Sequence, residues 1–249
     1  MAAYVNTNAL VVVGSFDASA STVKVETTPA TCAVVDVTTV ASGGFVCLAA
    51  GLKSYGLNLD VFADHTATGI TTAFTPQAAL GTQYAVTVCP QTGGASVGDP
   101  AIFTRGILNS YTPWGGQIGA AAASNMQFTS DTAEINGQVA APLAARTVTA
   151  NGSQVNMTGP TATQKVWAAI HVTALSGSAS PTLTPKIQSN TLTAFAGTTT
   201  DRITFTAMTA TGWQFASTSG AITDAFWRLQ WTISGTTPSF AFLAVVGVL

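Results

Sequence analysis

The stretch GLKSYGLNLDVFADH, residues 51–65, decides how the chain is read. In LNLDVF, residues 57–62, Leu57, Leu59 and Val61 fall on one face and Asn58, Asp60 and Phe62 on the other. That period of two predicts a strand with one buried side. A glycine-bounded turn precedes it and DH, a helix-start pattern, follows it. The same stretch holds Lys53, Asp60, Asp64 and His65, residue types that catalysis uses. Because they fall on a turn, a strand face and a helix start, they point in different directions and do not make one cluster. Asp64 reads as a helix cap and Asp60 as part of a solvated face.

Working outward, the flanking segments are also β-rich. NALVVVG (8–14), TVKVETT (22–28) and CAVVDVTTV (32–40) read as strands. In TVKVETT, Val23 and Val25 alternate with Lys24 and Glu26, the pattern of a strand with one wet side. ASGGFVCLAAG (41–51) reads as a loop or flexible hairpin. Downstream, Ile70, Ala73, Phe74 and Ala78 recur at helical spacing within residues 64–83, with Asp64 or Thr66 as cap and Gly81 as stop. YAVTVCP (84–90), AIFTRGILNSY (101–111) and SNMQFTS (124–130) complete this half as strands.

Near residues 130–147 the pattern changes, through a linker or entry segment, to strands alone: 166–175, 182–189, 202–208, 213–218, 225–234 and 239–249. Breaks are expected at SGSASP (176–181) and GTTP (235–238). Strands at this spacing indicate a β-sandwich or jelly roll. In FWRLQWTI, Trp227, Leu229, Trp231 and Ile233 share one face. The fold class is therefore mainly β: a β-barrel or sandwich with one short helix over residues 1–132, then a jelly-roll-like β-sandwich over 133–249.

Composition narrows the function. Charged residues are only 7% of the chain, against about a quarter in typical globular proteins, and 41 threonines supply polarity instead. So sparse a charge suits a subunit whose surface is covered in an assembly. Residues 1–130 hold six acids and three bases, a balance of −3; residues 131–249 stand at +1. No basic stripe suggests a grip on nucleic acid. The N-terminus lacks the pattern of a signal peptide, and FAFLAVVGVL (240–249) is too short for a membrane helix, so no membrane insertion is expected. It fits a last buried strand.

Catalytic and metal-binding patterns are weak. GASVG (94–98) matches a nucleophile elbow around Ser96, but Asp99-Pro100 and a strand follow where a helix is required, so a surface hairpin loop is expected. His65 and His171 have no ligand-spaced partners, and His171 reads as a hydrogen-bonded sandwich histidine. Cys32, Cys47 and Cys89 form no C-x-x-C pair and read as reduced, partly buried thiols. Trp167, Trp213, Trp227 and Trp231 suit core packing better than a sugar-stacking platform. No enzyme, metal or cofactor is expected.

The order of GLKSYGLNLDVFADH, LGTQYAVTVCP and GDPAIFTRGILNSYTPWGGQIG resembles the tube domain of the major tail proteins of long-tailed phages, those of actinobacteria especially. Its landmarks are Gly51-Leu52-Lys53, Asp60, Asp64, Leu80-Gly81-Thr82, Tyr111, Pro113 and Gly119. The segments APLAARTVTANG, AAIHVTALSGSASPTLTPKIQS, TTTDRITFTA, AITDAFWRLQWTISGTTPSFAF and VVGV are similar to a β-sandwich at the C-terminus of the same proteins. The segment IGAAAAS departs from the more polar, acidic sequence expected there.

The resemblance implies a structural virion protein, made in the host bacterial cytoplasm, that forms homo-hexameric rings stacked into a tail tube for DNA ejection. Six-fold and three-fold rings both stay open. It implies as partners the chain itself, the tape measure protein, and tail terminator and distal tail proteins. DNA would pass without specific binding. Asp17, Glu26, Asp36 and Asp60 are the candidates for an acidic lumen that repels phosphate. Gly43, Gly44, Phe45, Lys53 and Tyr55 are the candidates for contacts between subunits or rings, with the segments ASGGFVCLAAGLKSYG (41–56) and MAAYVNTN (1–8) reaching the next ring. The C-terminal sandwich would face outward, toward other subunits or the host surface. The alternative is a decoration protein or adhesin that binds host-surface glycans through that sandwich.

Overall fold

Burial alternates along one strand after another, and the hydrogen-bond ladders are antiparallel throughout. The computed structural model describes residues 9–43, 45–66, 68–75, 79–90, 95–118 and 120–249, with the side chains of 28–30 and 40 excepted. The chain is mainly β. It divides into two compact units: residues 21–83 with 106–133, and residues 1–20 and 84–105 with 134–249. This grouping differs from two consecutive halves meeting at 132/133. The reason is pairing: β1 (Leu10–Val13) pairs with β5 (Gln83–Cys89), and β6 (Pro100–Gly115) pairs through its first residues with β8 (Ile135–Arg146).

In the unit of residues 21–83 and 106–133, the strand predicted at 57–62 is the end of β4 (Leu48–Phe62). Leu57, Leu59 and Val61 are buried, and Asn58, Asp60 and Phe62 are not. β4 lies between β3 (Thr22–Asp36) and β7 (Ala123–Ser130), and β7 pairs in turn with the second part of β6. Register aligns the apolar positions: Leu57 faces Phe128 and Leu59 faces Met126, while Leu108 and Tyr111 of β6 face the same two. Ile70, Phe74 and Ala79 add to these buried side chains.

Among the described residues the predicted helix begins as the turn α1 (Ile70–Ala73), capped by Gly69 rather than Asp64 or Thr66, and Ala79 is helical again, its amide donating to the Thr75 carbonyl at 2.9 Å. Ile70-Thr71-Thr72 is a β-branched run that favours helix weakly, and α1 ends at Phe74, while Gly81, at φ +79, follows the helical Ala79. A Cβ on Gly69 would stand 2.3 Å from the Asp64 carbonyl oxygen, so only glycine fits. Asp64 instead closes a local turn, accepting from the Thr66 amide at 2.9 Å. Ala78 lies outside the described residues.

The other unit is a sandwich built on two long strands, β11 (Lys165–Asn190) and β14 (Phe226–Val248), paired from Val166↔Val248 to Asn190↔Phe226. The breaks expected at 176–181 and 235–238 are bends within these strands. Trp231 and Phe242 make the case: along an extended strand, eleven residues separate side chains by about 36 Å. Their ring centroids are 5.6 Å apart, so β14 doubles back on itself. At the bend, Gly235 takes φ +114, and a Cβ there would meet the Pro181 Cα at 2.8 Å.

The two halves enclose one core. Ile170, Val172, Phe240 and Phe242 from one half pack in the same cluster as Leu183, Ile187, Trp227, Leu229 and Trp231 from the other. β12 (Thr200–Thr204) and β13 (Gly212–Ser219) extend the sheets beside β11. A second cluster joins Ala169, Leu243 and Val245 to Val12, Cys89, Ala101 and Phe103. That half of β14 is buried on both faces, which is why its sequence is a continuous apolar run. The segment 130–147, expected as a linker or entry, carries strand β8, with β2 (Phe16–Asp17), β9 (Ala150–Asn151) and β10 (Val155–Asn156) as short pairings elsewhere.

His171 sits in this second face. Its Nδ1 is 2.7 Å from the Gly14 carbonyl oxygen and its Nε2 2.7 Å from Thr87 Oγ1. A carbonyl only accepts, so Nδ1 carries the proton and Nε2 accepts from the threonine hydroxyl. Burial pushes the imidazole down to about 4, and the ring is neutral at pH 7. This is the hydrogen-bonded sandwich histidine that the pattern of Trp167, Ala169 and His171 predicts.

Candidate self-assembly surface

Beyond the buried sheet, β3 and β4 continue as a hairpin that none of the described residues covers on either side. Residues 41–51, read from sequence as a loop or flexible hairpin, carry the hairpin's return and the start of β4, and the turn expected at 51–56 is strand, so the ladder runs on through Val34↔Ala50, Val35↔Ala49 and Asp36↔Leu48. Cross-strand partners share a face and successive pairs alternate. Val34, Ala50 and Leu48 therefore lie on one face, and Val35 and Ala49 on the other. Leu52 is 87% exposed, Phe45 78%, Val34 64% and Leu48 63%. A soluble strand normally hides one face; here both carry apolar side chains into water. Val23 is exposed as well, so the one wet side expected for TVKVETT is two.

The tip is ordered by its own polar groups. The Asp36 carboxylate accepts from the Thr38 amide at 2.8 Å and from the Thr38 hydroxyl, which in turn accepts from the Cys47 amide at 2.9 Å. These bonds, the Thr38 hydroxyl first, hold the Asp36 carboxyl below its usual range. A 3-10 turn (Val40–Ser42) follows, ended by Gly43 at φ +63. The hairpin thus presents a defined shape. Its outer edge carries no other strand: among the described residues β3 pairs with β4 alone, so a further strand can add there.

The polar side of the sheet carries the charges. Register sets Lys24 opposite Asp60 and Glu26 opposite Asn58, with Asn125 and Gln127 of β7 beyond them. Asn125 donates to Asp60 at 2.6 Å, and Lys24 pairs with Glu26 at 2.8 Å. The hydrogen bond to Glu26, and then its charge, raise the Lys24 pKa. An open groove of about 320 Å³ on this side is lined by Thr31, Ser54, Asn58, Asn109, Gln127 and Thr129.

Of the four lumen candidates, the fold brings Glu26 and Asp60 to one face. Asp36 sits at the hairpin tip, and Asp17 is in the sandwich unit, where its carboxylate accepts from the Ser19 amide and hydroxyl. Of the contact candidates, Phe45 and Lys53 are exposed, Gly43 shapes the tip, and Tyr55 is half-buried where the hairpin leaves the sheet. Gly44, Gly119 and residues 1–8 lie outside the described residues. Sequence reading missed Val34 and Val35, and covered Leu48 and Leu52 only as part of the segment 41–56 expected to reach the next ring. Their signal was present as apolar runs, CAVV and CLAAGL, with no polar alternation to mark a wet side.

Residues considered for chemistry are dispersed. Ser96 lies in an exposed turn, its amide donating to Asp99 Oδ2 at 2.7 Å, as a hairpin loop predicts. His65 is exposed beside Trp114, ring centroids 5.5 Å apart. Cys32 and Cys47 are exposed rather than partly buried, because they sit on the uncovered hairpin, whereas burial pushes the Cys89 thiol up to about 12. Among the described residues no group of His, Cys, Asp or Glu has the arrangement to hold a metal ion. Trp227 and Trp231 are core residues, their indole N–H groups donating at 2.9 Å to the carbonyls of Met157 and Val148. They present no stacking platform to a sugar.

No protein-family model and no curated protein matches the chain. Among solved structures, one chain from the tail of an empty gene transfer agent particle, refined with six-fold helical symmetry, matches at 17% identity. It covers 46% of this chain and 80% of its own, with a TM-score of 0.34. One from the virion of a native gene transfer agent particle matches at 15% identity over 54% and 98%, with a TM-score of 0.37. The Dit protein of phage SPP1, described as a hub of the adsorption apparatus of phages of Gram-positive bacteria, matches at 8% identity over 97% and 99%, with a TM-score of 0.38.

Proposed function

We propose that the chain is a structural subunit that assembles with copies of itself into the stacked rings of a phage tail tube. The observation that carries this is the distal β3–β4 hairpin, apolar on both faces and, among the described residues, with no second strand paired along β3. An open edge and uncovered apolar faces are what a monomer suppresses and an assembling subunit keeps. The complementary surface is supplied by further copies, since heterologous contacts repeated around an axis close into rings. The polar face with Glu26 and Asp60 is the side we assign to the lumen, where acidic and neutral groups leave passing DNA unbound. Tape measure, terminator and distal tail proteins are the partners such a tube takes. In this reading the protein is a virion component and not an enzyme, assembled in the bacterial cytoplasm.

Deletion of residues 37–52, which leaves residues 33–36 as a four-residue loop between Cys32 and its partner Lys53, tests this. The buried residues Leu57, Leu59 and Val61 stay in place, so the subunit folds, and sedimentation finds it monomeric where the full chain polymerises. Normal tubes from the deleted chain would refute the proposal.

A further inference from the structure

A second feature lies in the sandwich unit, on the outward side of β11, β12 and the first half of β14. Register sets Gln188 opposite Arg228 and Lys186 opposite Gln230. A relay of hydrogen bonds joins them. Lys186 Nζ pairs with Asp201 Oδ2 at 2.8 Å, Gln188 Nε2 donates to Asp201 Oδ1 at 2.7 Å, and Arg228 Nε donates to Gln188 Oε1 at 3.0 Å. Phe195 covers the guanidinium, its centroid 4.2 Å from Arg228 Cζ.

The loop that carries Phe195 is held in place. Asn190, buried at the end of β11, donates to the carbonyls of Ala196 and Thr198 at 3.3 and 3.2 Å and accepts from the Leu192 amide at 2.8 Å. Phe195 itself takes φ +50, a left-handed conformation that a side chain rarely adopts and that persists where its surroundings impose it. The guanidinium is thus fixed by a ring on its face and a hydrogen bond at Nε.

Its outer edge is unused. Among the described residues neither Nη of Arg228 has a protein acceptor, and neither is among the buried polar atoms left without one, so both meet solvent. Other arginines are spent. Arg146 gives its Nη groups to the carbonyls of Ala144, Phe242 and Pro142. Arg202 binds Asp224 and Ser189.

We propose that the Arg228 fork binds the carboxylate or phosphate of an acidic polysaccharide. A planar guanidinium with two parallel N–H groups takes two oxygens of such an anion at once, and stacking on a ring fixes its plane beforehand. Asp201 does not cancel the site, because Lys186 and Gln188 already engage both its oxygens. Around the fork the strands offer Thr184, Lys186, Gln230 and Thr232, donors and acceptors for sugar hydroxyls rather than the apolar anchors of a protein interface. The site is independent of the hairpin and of the tube reading.

Calorimetric titration at low salt tests the site, using oligogalacturonate for carboxylate, poly(glycerol phosphate) for phosphate, and dextran as neutral control. The native chain binds at least one acidic polymer and not dextran, and the preferred polymer identifies the anion. Arg228→Lys keeps the charge but loses the fork, and weakens binding roughly tenfold or more; Phe195→Ala weakens it less. No saturable binding of either acid by the native chain, or equal binding by Arg228→Lys, would overturn the proposal. As a readout that needs no variant, the Arg228 Nε–H resonance of the native chain shifts on saturation with the bound polymer; an unmoved resonance also overturns it.

Discussion

Consider the triple substitution Val34→Thr, Leu48→Thr and Leu52→Thr on the hairpin. Threonine keeps the β-branched preference for a strand while replacing apolar surface with a hydroxyl. Burying an aliphatic side chain completely is worth about 1.5–3 kcal/mol. These three are 64%, 63% and 87% exposed in the free subunit, so most of that gain is still to be realised on assembly. Scaled by exposure, each contributes about 1–2 kcal/mol, together about 4 kcal/mol per hairpin. That corresponds to a factor of roughly a thousand in association constant. The critical concentration for polymerisation, read by light scattering, rises accordingly. The melting temperature of the unassembled subunit stays within a few degrees, since exposed side chains contribute little to it. Polymerisation at the native critical concentration would refute the reasoning. So would a large drop in subunit melting temperature, which would mean that these side chains pack within the subunit.

Three further outcomes follow from the fold. His171 binds its proton less tightly folded than unfolded, so the unfolded chain takes up more protons between pH 6.5 and about 4, and stability falls as pH drops through that window. The loss is about 3 kcal/mol, and denaturant titrations of His171→Leu, starting from lower stability because the Gly14 carbonyl and Thr87 lose their partner, lack that slope. Thiol titration of the unassembled chain finds Cys32 and Cys47 reactive and Cys89 silent until denaturation, and assembly slows the first two. Trp227→Ala lowers subunit stability by about 3–5 kcal/mol in a chemical melt, the cost of emptying a packed core site and freeing the Met157 carbonyl.

How much of this was legible depended on whether a local pattern matched its surroundings. Leu57, Leu59 and Val61 alternate with polar residues, and β4 buries them as the alternation says. Trp227, Leu229 and Trp231 did the same for the sandwich. The bends of β11 and β14 were read as breaks because Gly, Ser and Pro mark turns, yet the register of two long strands carries through them. The helix read within 64–83 starts later than its expected caps, because the β-branched run at Ile70-Thr71-Thr72 enters it from Gly69 rather than from Asp64 or Thr66. The distal hairpin was the hardest to see. Its residues are apolar on both faces, a pattern that ordinarily means a strand buried on both sides, and nothing local says that the chain leaves them exposed. The Arg228 fork was hidden for another reason: Arg228, Gln188, Phe195 and Asp201 are brought together by register and by a loop that Asn190 folds.

Electron microscopy of the purified native chain, raised through its critical concentration, tests the central claim most directly. Rings stacked into tubes with an open axial channel are the predicted result. A chain that stays monomeric at every concentration, with its hairpin uncovered, would contradict it.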